Sequence, residues 1–412
     1  AAATNLANQG FPVHLFEREK TLGGNLRNIN KVFPENIPAE ELLESLTENV
    51  YKNSRIKLHM PAEKKNIAGY VGNFDVTILE KESGKETTVR VGTIIVATGA
   101  KPFKPTGLYG YGEVEGVLTQ LDLERELRKG INKKEWRNVV MINCVGARTP
   151  ERPYCSRICC MITIKNASLL REANPETKVY VLHRDIMAQG VEFEEYFRRS
   201  MELGVRYIRY SPEKPPEIIQ EDNKLRGVRV HHEPMGREVE LPADHLVLAT
   251  PLVPQPDSGE VAKMLKVPLE ENGFFLEAHV KLRPTEFATD GVYVAGSAHW
   301  PTHIGECISQ GYAAAAKAAI PMRRGYIVSE AITATINEEA CTGCGACVAS
   351  CPYTAITLIE KGGQRKASVN VAQCKGCGTC VASCANGAIQ QEGYTDNQLL
   401  SMIEALVGEE TK

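Results

Sequence analysis

The chain has 412 residues, 43% hydrophobic and 24% charged, with a formal net charge of −3. That length admits two or three domains with substantial cores. Near-neutrality gives no global field for nucleic acid or an anionic membrane. No window approaches the roughly 18 consecutive apolar residues of a transmembrane helix. The opening AAATNLANQG has neither the basic segment nor the cleavage site of a signal peptide. The unusual component is cysteine, with 13 residues, all but one in three tight groups. In a long α/β chain such groups point to metal binding in a reducing cytoplasm more than to a disulfide scaffold.

Residues 1–9 read as a helix ended by Gly10, and 11–16 as a buried parallel strand closed by Glu17. A helix follows at 39–51 and a strand at 56–60. Segments 74–79 and 87–91 alternate like a hairpin, and 93–97 is an apolar strand ending in Thr98-Gly99. A second α/β series runs through a helix at 122–129, a strand at 139–142, a helix at 162–173, a strand at 179–182 and a helix at 192–203. A polar hairpin-like region spans 214–241, with a buried strand at 246–249. Another strand at 291–295 precedes an Ala-rich helix at 308–319, and the tail after Thr395 reads as a short amphipathic helix. Strands alternating with helices predict parallel sheets. The organisation expected is 1–115, 116–255, 256–330, a Cys-rich module at 335–392 and a tail at 393–412.

Cys341, Cys344, Cys347 and Cys351 follow C-x2-C-x2-C-x3-C, and Cys374, Cys377, Cys380 and Cys384 repeat it. This is the register of a bacterial-type two-cluster ferredoxin, in which the fourth cysteine of each run ligates the other [4Fe–4S] cluster. One cluster is therefore expected on Cys341, Cys344, Cys347 and Cys384, the other on Cys374, Cys377, Cys380 and Cys351. Zinc also uses C-x2-C pairs, but eight cysteines in duplicated register over-supply it. Ala385 stands where Pro352 stands in the first run, which loses a rigid turn and no ligand. Cys144, Cys155, Cys159 and Cys160 form a third group, C-x10-C-x3-C-C. Spacing alone leaves it open between a further cluster and buried thiols packing as small hydrophobes. Cys307 reads as a core thiol.

Flavin signals lie in three places. Glu17, at a strand end, suits the adenosine ribose. Gly23-Gly24-Asn25, Ala97-Thr98-Gly99 and Gly296-Ser297 allow close approach of backbone to FAD. The helix after Ser297 can aim its positive end at the reduced flavin. The glycine fingerprint that should open such a domain is absent. The chain begins inside the helix that would follow it, so residues upstream of Ala1 are expected, in this polypeptide or another. In the middle unit the turn after 139–142 has Cys144 where a nicotinamide site needs a glycine triplet. That site reads as converted from hydride acceptance to cluster binding.

The segment Cys144-Val-Gly-Ala-Arg through Glu-Arg-Pro-Tyr-Cys-Ser-Arg-Ile-Cys-Cys160, with the flavin segments and paired ferredoxin motifs, resembles the A-subunit of heterodisulfide reductase over essentially the whole chain. The resemblance implies a thioredoxin-reductase-like two-domain α/β flavoprotein fold, lacking its first strand and fingerprint, plus an α+β 2[4Fe–4S] ferredoxin domain. It implies FAD and three [4Fe–4S] clusters, the third on Cys144, Cys155, Cys159 and Cys160. It implies an electron-transfer component of a larger complex, in some members bifurcating electrons at the flavin. Its partners there are B- and C-like subunits, ferredoxin, and a hydrogenase or formate dehydrogenase module joined through a small iron–sulfur linker protein, as a dimer of complexes. Related subunits serve quinone-interacting and benzoyl-CoA reductase complexes. No catalytic side chain beyond the cofactors is required; His303 is the one candidate proton donor, and a satisfied loop histidine is the competing role. A self-contained NAD(P)H-dependent flavin reductase with a fused ferredoxin is the rival function, which the missing glycine triplet opposes.

Overall fold

The computed structural model describes residues 1–328 and 331–408, so the expected tail helix beyond 408 lies outside the described residues. The chain opens with α1 (Ala2–Asn8), β1 (Val13–Phe16), α2 (Ala39–Lys52) and β2 (Ile56–His59). β1 pairs with β2 in parallel. Its residues are half-buried rather than buried, because a partner strand lies on one side only. Next come β3 (Ala62–Tyr70), β4 (Asn73–Glu80) and β5 (Glu86–Val91), a three-stranded antiparallel sheet where a two-stranded hairpin was expected. β3 carries the run AEKKNIAG, whose few apolar residues give no strand signal. β6 (Ile94–Val96) and β7 (Ala100–Pro102) complete this part.

The middle of the chain contributes β8 (Val117–Thr119), α3 (Gln120–Lys129), β9 (Asn138–Ile142), α4 (Cys159–Ala173), β10 (Lys178–His183), α5 (Val191–Glu202) and β11 (Arg206–Arg209). It continues through β12 (Glu217–Glu221), β13 (Lys224–His232), β14 (Arg237–Pro242) and β15 (His245–Leu248). Five of these strands form a parallel sheet in the order β8-β15-β9-β10-β11. Its central strand, Asn138-Val-Val-Met-Ile142, is β-branched and fully buried after the first residue, as a two-sided parallel strand should be. One face packs on α3 and α4 through Leu123, Met141, Ala167 and Leu170. The other packs on the antiparallel sheet β12-β13-β14 through Val140, Ile142, Val228 and Leu241. A capping box of Thr119 and Asp122 starts α3. α4 begins at Cys159, three residues earlier than the pattern suggests, and so includes both adjacent cysteines.

β16 (Leu252–Pro254) pairs back on β7, and α6 (Ser258–Leu265) leads to β17 (Val292–Val294), which lies parallel to β6. α7 (Ile304–Arg324) packs against α1. A β-carbon on Gly311 of α7 would stand 3.2 Å from Ala1 Cβ, which is how close the two helices come. The last module has β18 (Ala334–Ile336), α8 (Ala346–Ser350), β19 (Ile356–Lys361), β20 (Gln364–Val369), α9 (Thr379–Ala382) and β21 (Ile389–Gln391). β18 pairs with β21, so its two ends close on each other. Then α10 (Asp396–Gly408) presents Leu400, Ile403, Leu406 and Val407 to solvent. Among the described residues no helix is long and apolar enough to cross a membrane.

Candidate flavin cradle and cysteine sites

β6 and β17 run side by side with Val96 opposite Val294. Their C-terminal continuations, Ala97-Thr98-Gly99 and Ala295-Gly296-Ser297, therefore emerge together, joined by the Ala295 N–H to the Val96 carbonyl at 2.9 Å. Asn25 Nδ2 donates to the Ala100 carbonyl at 2.9 Å and draws the Gly23-Gly24 turn onto the same edge. Gly24 and Gly99 have φ of +50° and +70°, and a β-carbon on either would meet no atom within 4 Å. Ala97 and Thr98 are exposed. Left-handed glycines around open space with an exposed strand end make a backbone cradle of the kind a dinucleotide needs. The residues present fit FAD.

Glu17 follows β1 on the neighbouring pair, and its Oε1 accepts the Glu19 N–H at 2.9 Å. Gly296 N–H donates to Gln310 Oε1 at 2.9 Å, a support from α7 that no motif announces. Ser297 Oγ lies 3.6 Å from Cys307 Sγ. Burial pushes the Cys307 thiol up, as expected of a packed thiol. His303 caps α7, its Nδ1 accepting the Glu306 N–H at 3.4 Å. Its ring meets Phe193 edge-on with centroids 5.3 Å apart. Burial pulls its pKa below the ordinary histidine value. It lines an open cleft with Phe33, Arg157, Met161, Phe193 and Glu306. The structure thus gives His303 a helix-capping role and an opening onto that cleft.

The third cysteine group gathers where β9 ends and α4 begins. Cys144, Arg148 and Arg157 all sit at positive φ, between +56° and +64°. Such backbone persists only where its surroundings hold it. Arg148 pairs with Asp185 at 2.7 Å, and Arg184 donates to the Arg148 carbonyl at 3.0 Å. Asn143 Nδ2 lies 3.7 Å from Cys160 Sγ, and the Arg157 N–H donates to Cys155 Sγ at 3.3 Å. Burial pushes the Cys160 thiol up to about 12, and the Cys144 and Cys155 sulfurs add to it. Cys159 is pushed up by burial and by its three fellow thiols. Burial also raises Cys144, with Arg148 and Arg184 opposing. The four cysteines therefore gather at one place, Cys160 buried and Cys144, Cys155 and Cys159 half-buried. Four cysteines gathered at one place are a donor set that fits an iron–sulfur cluster.

A nicotinamide would approach the backbone at this same turn. Instead Arg152 Nε donates to the Gly146 carbonyl at 2.6 Å and lies over the Phe103 ring at 4.0 Å. The turn is occupied by the chain's own side chains. Sequence reasoning saw the missing glycines but not Phe103, which lies far from this turn along the chain.

The two ferredoxin quartets are related by internal repetition. Ala355 N–H and Ala388 N–H donate to Cys351 Sγ and Cys384 Sγ, each at 3.3 Å. Ala367 N–H and Ala334 N–H donate to Cys341 Sγ and Cys374 Sγ, each at 3.4 Å. Ser350 and Ser383, each preceding a fourth cysteine, meet at 2.8 Å. Cys351, Cys374, Cys377 and Cys380 line one small pocket. The electrostatic neighbours of Cys380 are Cys374, Cys351 and Cys377, and those of Cys347 are Cys341 and Cys344. Among the described residues no three His, Cys, Asp or Glu side chains converge on a single metal ion. The donor sets are all thiol, and Cys351, Cys374, Cys377 and Cys380 line one pocket, so the residues present fit [4Fe–4S] clusters.

The comparisons with known proteins agree with this geometry. Residues 334–391 match the 4Fe-4S dicluster domain, and residues 1–147 match the pyridine nucleotide-disulphide oxidoreductase family. The fold is similar to thioredoxin reductase from T. acidophilum, with 19% identity and a TM-score of 0.53 over 77% of this chain and 92% of that one. The Lactococcus lactis thioredoxin reductase gives 18% identity and a TM-score of 0.52 over 77% and 93%. Fold and sites thus define an iron–sulfur flavoprotein oxidoreductase with a thioredoxin-reductase-like body and a dicluster ferredoxin module.

The chain is 35% identical to a CoB–CoM heterodisulfide reductase iron–sulfur A-subunit of Methanopyrus kandleri, over 99% of this chain and 75% of that one. It is equally 35% identical to the corresponding A-subunit of Methanocaldococcus jannaschii and to that of the H2/formate:CoB-CoM heterodisulfide,ferredoxin reductase of Methanococcus maripaludis, over 98% of this chain and 75% of each. The chain belongs to the heterodisulfide reductase A-subunit family.

Proposed function

We propose that this chain is the electron-relay subunit of a heterodisulfide-reductase-like complex, holding one FAD and three [4Fe–4S] clusters. The observation that carries the reading is Cys144 and its three companions at the turn a nicotinamide would use, with Phe103 and Arg152 packed into that turn. Flavin bound in the cradle exchanges electrons in pairs or singly, and the clusters carry them singly. The chain's own residues supply place and field. Gly24, Gly99 and Gly296 hold the cofactor edge. Cys144, Cys155, Cys159 and Cys160 hold the third cluster beside it. Arg157 pairs with Glu306, in the first turn of α7, at 3.6 Å, which joins the third cysteine group to the helix behind the flavin cradle. Cys351 serves the cluster of Cys374, Cys377 and Cys380, and Cys384 that of Cys341, Cys344 and Cys347.

The relatives' names include H2, formate and ferredoxin as electron sources or acceptors. We carry over that setting as the complex this chain serves, with B- and C-like subunits as neighbours and bifurcation at the flavin as its fullest form. Exposed Leu400, Ile403, Leu406 and Val407 on α10 support assembly into a larger particle. Anaerobic reconstitution tests the reading: about twelve irons and one flavin per chain are expected from three four-iron clusters. A count of about eight irons, two clusters' worth, removes the third site. The rival, a self-contained NAD(P)H reductase, predicts that NADH bleaches the flavin of the isolated chain; the filled turn at Gly146 predicts that it does not.

A further inference from the structure

The two halves of the ferredoxin module repeat almost contact for contact, and one asymmetry stands out. Three residues beyond each fourth cysteine the backbone turns left-handed. In the second half that position is Gly387, at φ +59°, which adopts it freely. In the first half it is Thr354, at φ +49°. A β-branched residue there is a true outlier and persists only where something holds it. What holds it comes from outside the module. Lys266, the C-cap of α6 in the flavin-binding body, donates through Nζ to the Thr354 hydroxyl and to the Tyr353 carbonyl, the latter at 3.3 Å. Lys266 is itself left-handed, at φ +55°, and its carbonyl accepts the Thr289 hydroxyl at 2.7 Å. Asp290, next to Thr289, pairs with Lys375, between Cys374 and Cys377.

The residue after Thr354 is Ala355, whose N–H donates to Cys351 Sγ at 3.3 Å. The chain of contacts therefore runs from an ammonium group, through a propped turn, to a sulfur of one quartet only. Cys351 is also close enough to favour the charged form of Lys266, against the burial that lowers it. No residue of the body reaches Gly387 or Asn386 in this way among the hydrogen bonds of the described residues; Asn386 bonds to Thr342, within the module.

We propose that Lys266 is a positioning residue that raises the reduction potential of the cluster ringed by Cys351, Cys374, Cys377 and Cys380 above that of its sister, by holding Thr354 and placing a cation beside that cluster. The inference rests on the ligand assignment proposed above. Its physical basis is that added positive charge and N–H donors at the sulfurs stabilise the more negative, reduced cluster. The body and module are thereby coupled: docking sets the order of potentials in the wire.

The test uses the reconstituted full chain and an EPR-monitored redox titration, with iron counted on each sample. Lys266→Gln is expected to shift one of the two ferredoxin-module midpoints to more negative potential, by up to about 59 mV, a tenfold change in the one-electron ratio. The sister cluster and the Cys144 site stay put. Lys266→Arg retains the wild-type midpoint. Thr354→Gly, which relieves the turn but leaves the cation without its hydroxyl partner, shifts the same midpoint part of the way. Full iron with unchanged midpoints in Lys266→Gln overturns the proposal, as does an equal shift of both clusters. Cys351→Ser separates the two claims. If it removes the cluster of the Cys341 triplet instead, the ligand assignment fails. If it removes that of the Cys374 triplet while Lys266→Gln is silent, only the role of Lys266 fails.

Discussion

A β-carbon built on Gly146 would stand 2.4 Å from Cε1 of Phe103, so this ring closes the turn after β9 onto its backbone. Gly146 also has φ of +78°, which an L side chain adopts only at a cost. Gly146→Ala is therefore expected to lose about 1–3 kcal/mol of stability through strain and overpacking. It should also loosen the Cys144 loop, lowering iron by about four per chain. Chemical denaturation and an iron assay check both; an alanine variant as stable as the parent would mean that Phe103 moves aside freely.

The proposed cross-over of fourth cysteines gives a second prediction. Cys351 shares a cavity with Cys374, Cys377 and Cys380 and not with the triplet that precedes it in sequence. Cys351→Ser and Cys374→Ser should therefore erase the same EPR signal. Cys384→Ser should pair with Cys341→Ser. If instead Cys351→Ser and Cys341→Ser match, each quartet is self-contained.

How far the sequence speaks for itself depends on the separation of the residues involved. The quartets are legible because one short loop contains three cysteines, and the second run repeats the spacing of the first. Gly99 and Gly296 are legible because an apolar strand followed by glycine marks a close backbone approach, and Gly24 because the Gly23-Gly24 pair follows shortly after Glu17. Strand β3 is not, since Lys64, Lys65 and Asn66 break its alternation and its pairing with β4 supplies what its own pattern lacks. Phe103 over Gly146 and Lys266 on Thr354 are invisible for another reason. Each joins segments distant in sequence, and each works through backbone conformation, which the letters Thr354 and Arg148 do not reveal. The start of α4 at Cys159 is obscured in another way, because the adjacent cysteines carry no helical periodicity.

Acid sensitivity follows from a half-buried histidine. His245 stacks on Trp136 with ring centroids 3.8 Å apart and planes 3° from parallel. Burial holds its pKa below 6.5, with Asp244, Glu135 and Glu126 opposing. The unfolded chain thus binds more protons than the native one as pH falls below that value, and stability drops with it. The stabilisation is whole above pH 6.5 and is lost as pH falls toward the native pKa. His245→Phe keeps an aromatic face on Trp136 and is expected to flatten the loss of stability between about pH 7 and pH 5.5. Urea unfolding at several pH values checks it; parallel profiles for variant and parent would exclude His245 as a contributor.

Lys165 and Glu124 form an ion pair with side-chain exposures of 1% and 3%. Lys165 lies on α4, in the helix that Cys159 opens, and its ammonium also donates to the Lys31 carbonyl at 2.8 Å. Glu124 lies on α3, and its second oxygen accepts the Asn30 N–H at 2.9 Å. The pair therefore ties the helix that begins with Cys159 and Cys160 to the loop just beyond Gly23-Gly24-Asn25, fixing the third cysteine group relative to the flavin cradle. Burial disfavours the charged form of Lys165, and Glu124 favours it. Lys165→Met leaves a buried carboxylate unpaired and is expected to cost about 3–5 kcal/mol. The double variant Lys165→Met/Glu124→Leu removes both charges and should recover most of that loss, because an apolar pair of similar volume often replaces a buried ion pair at little cost. Guanidinium unfolding measures both. A single variant within about 1 kcal/mol of the parent would show that water reaches Glu124, and that the strut between the two sites is weaker than its burial indicates.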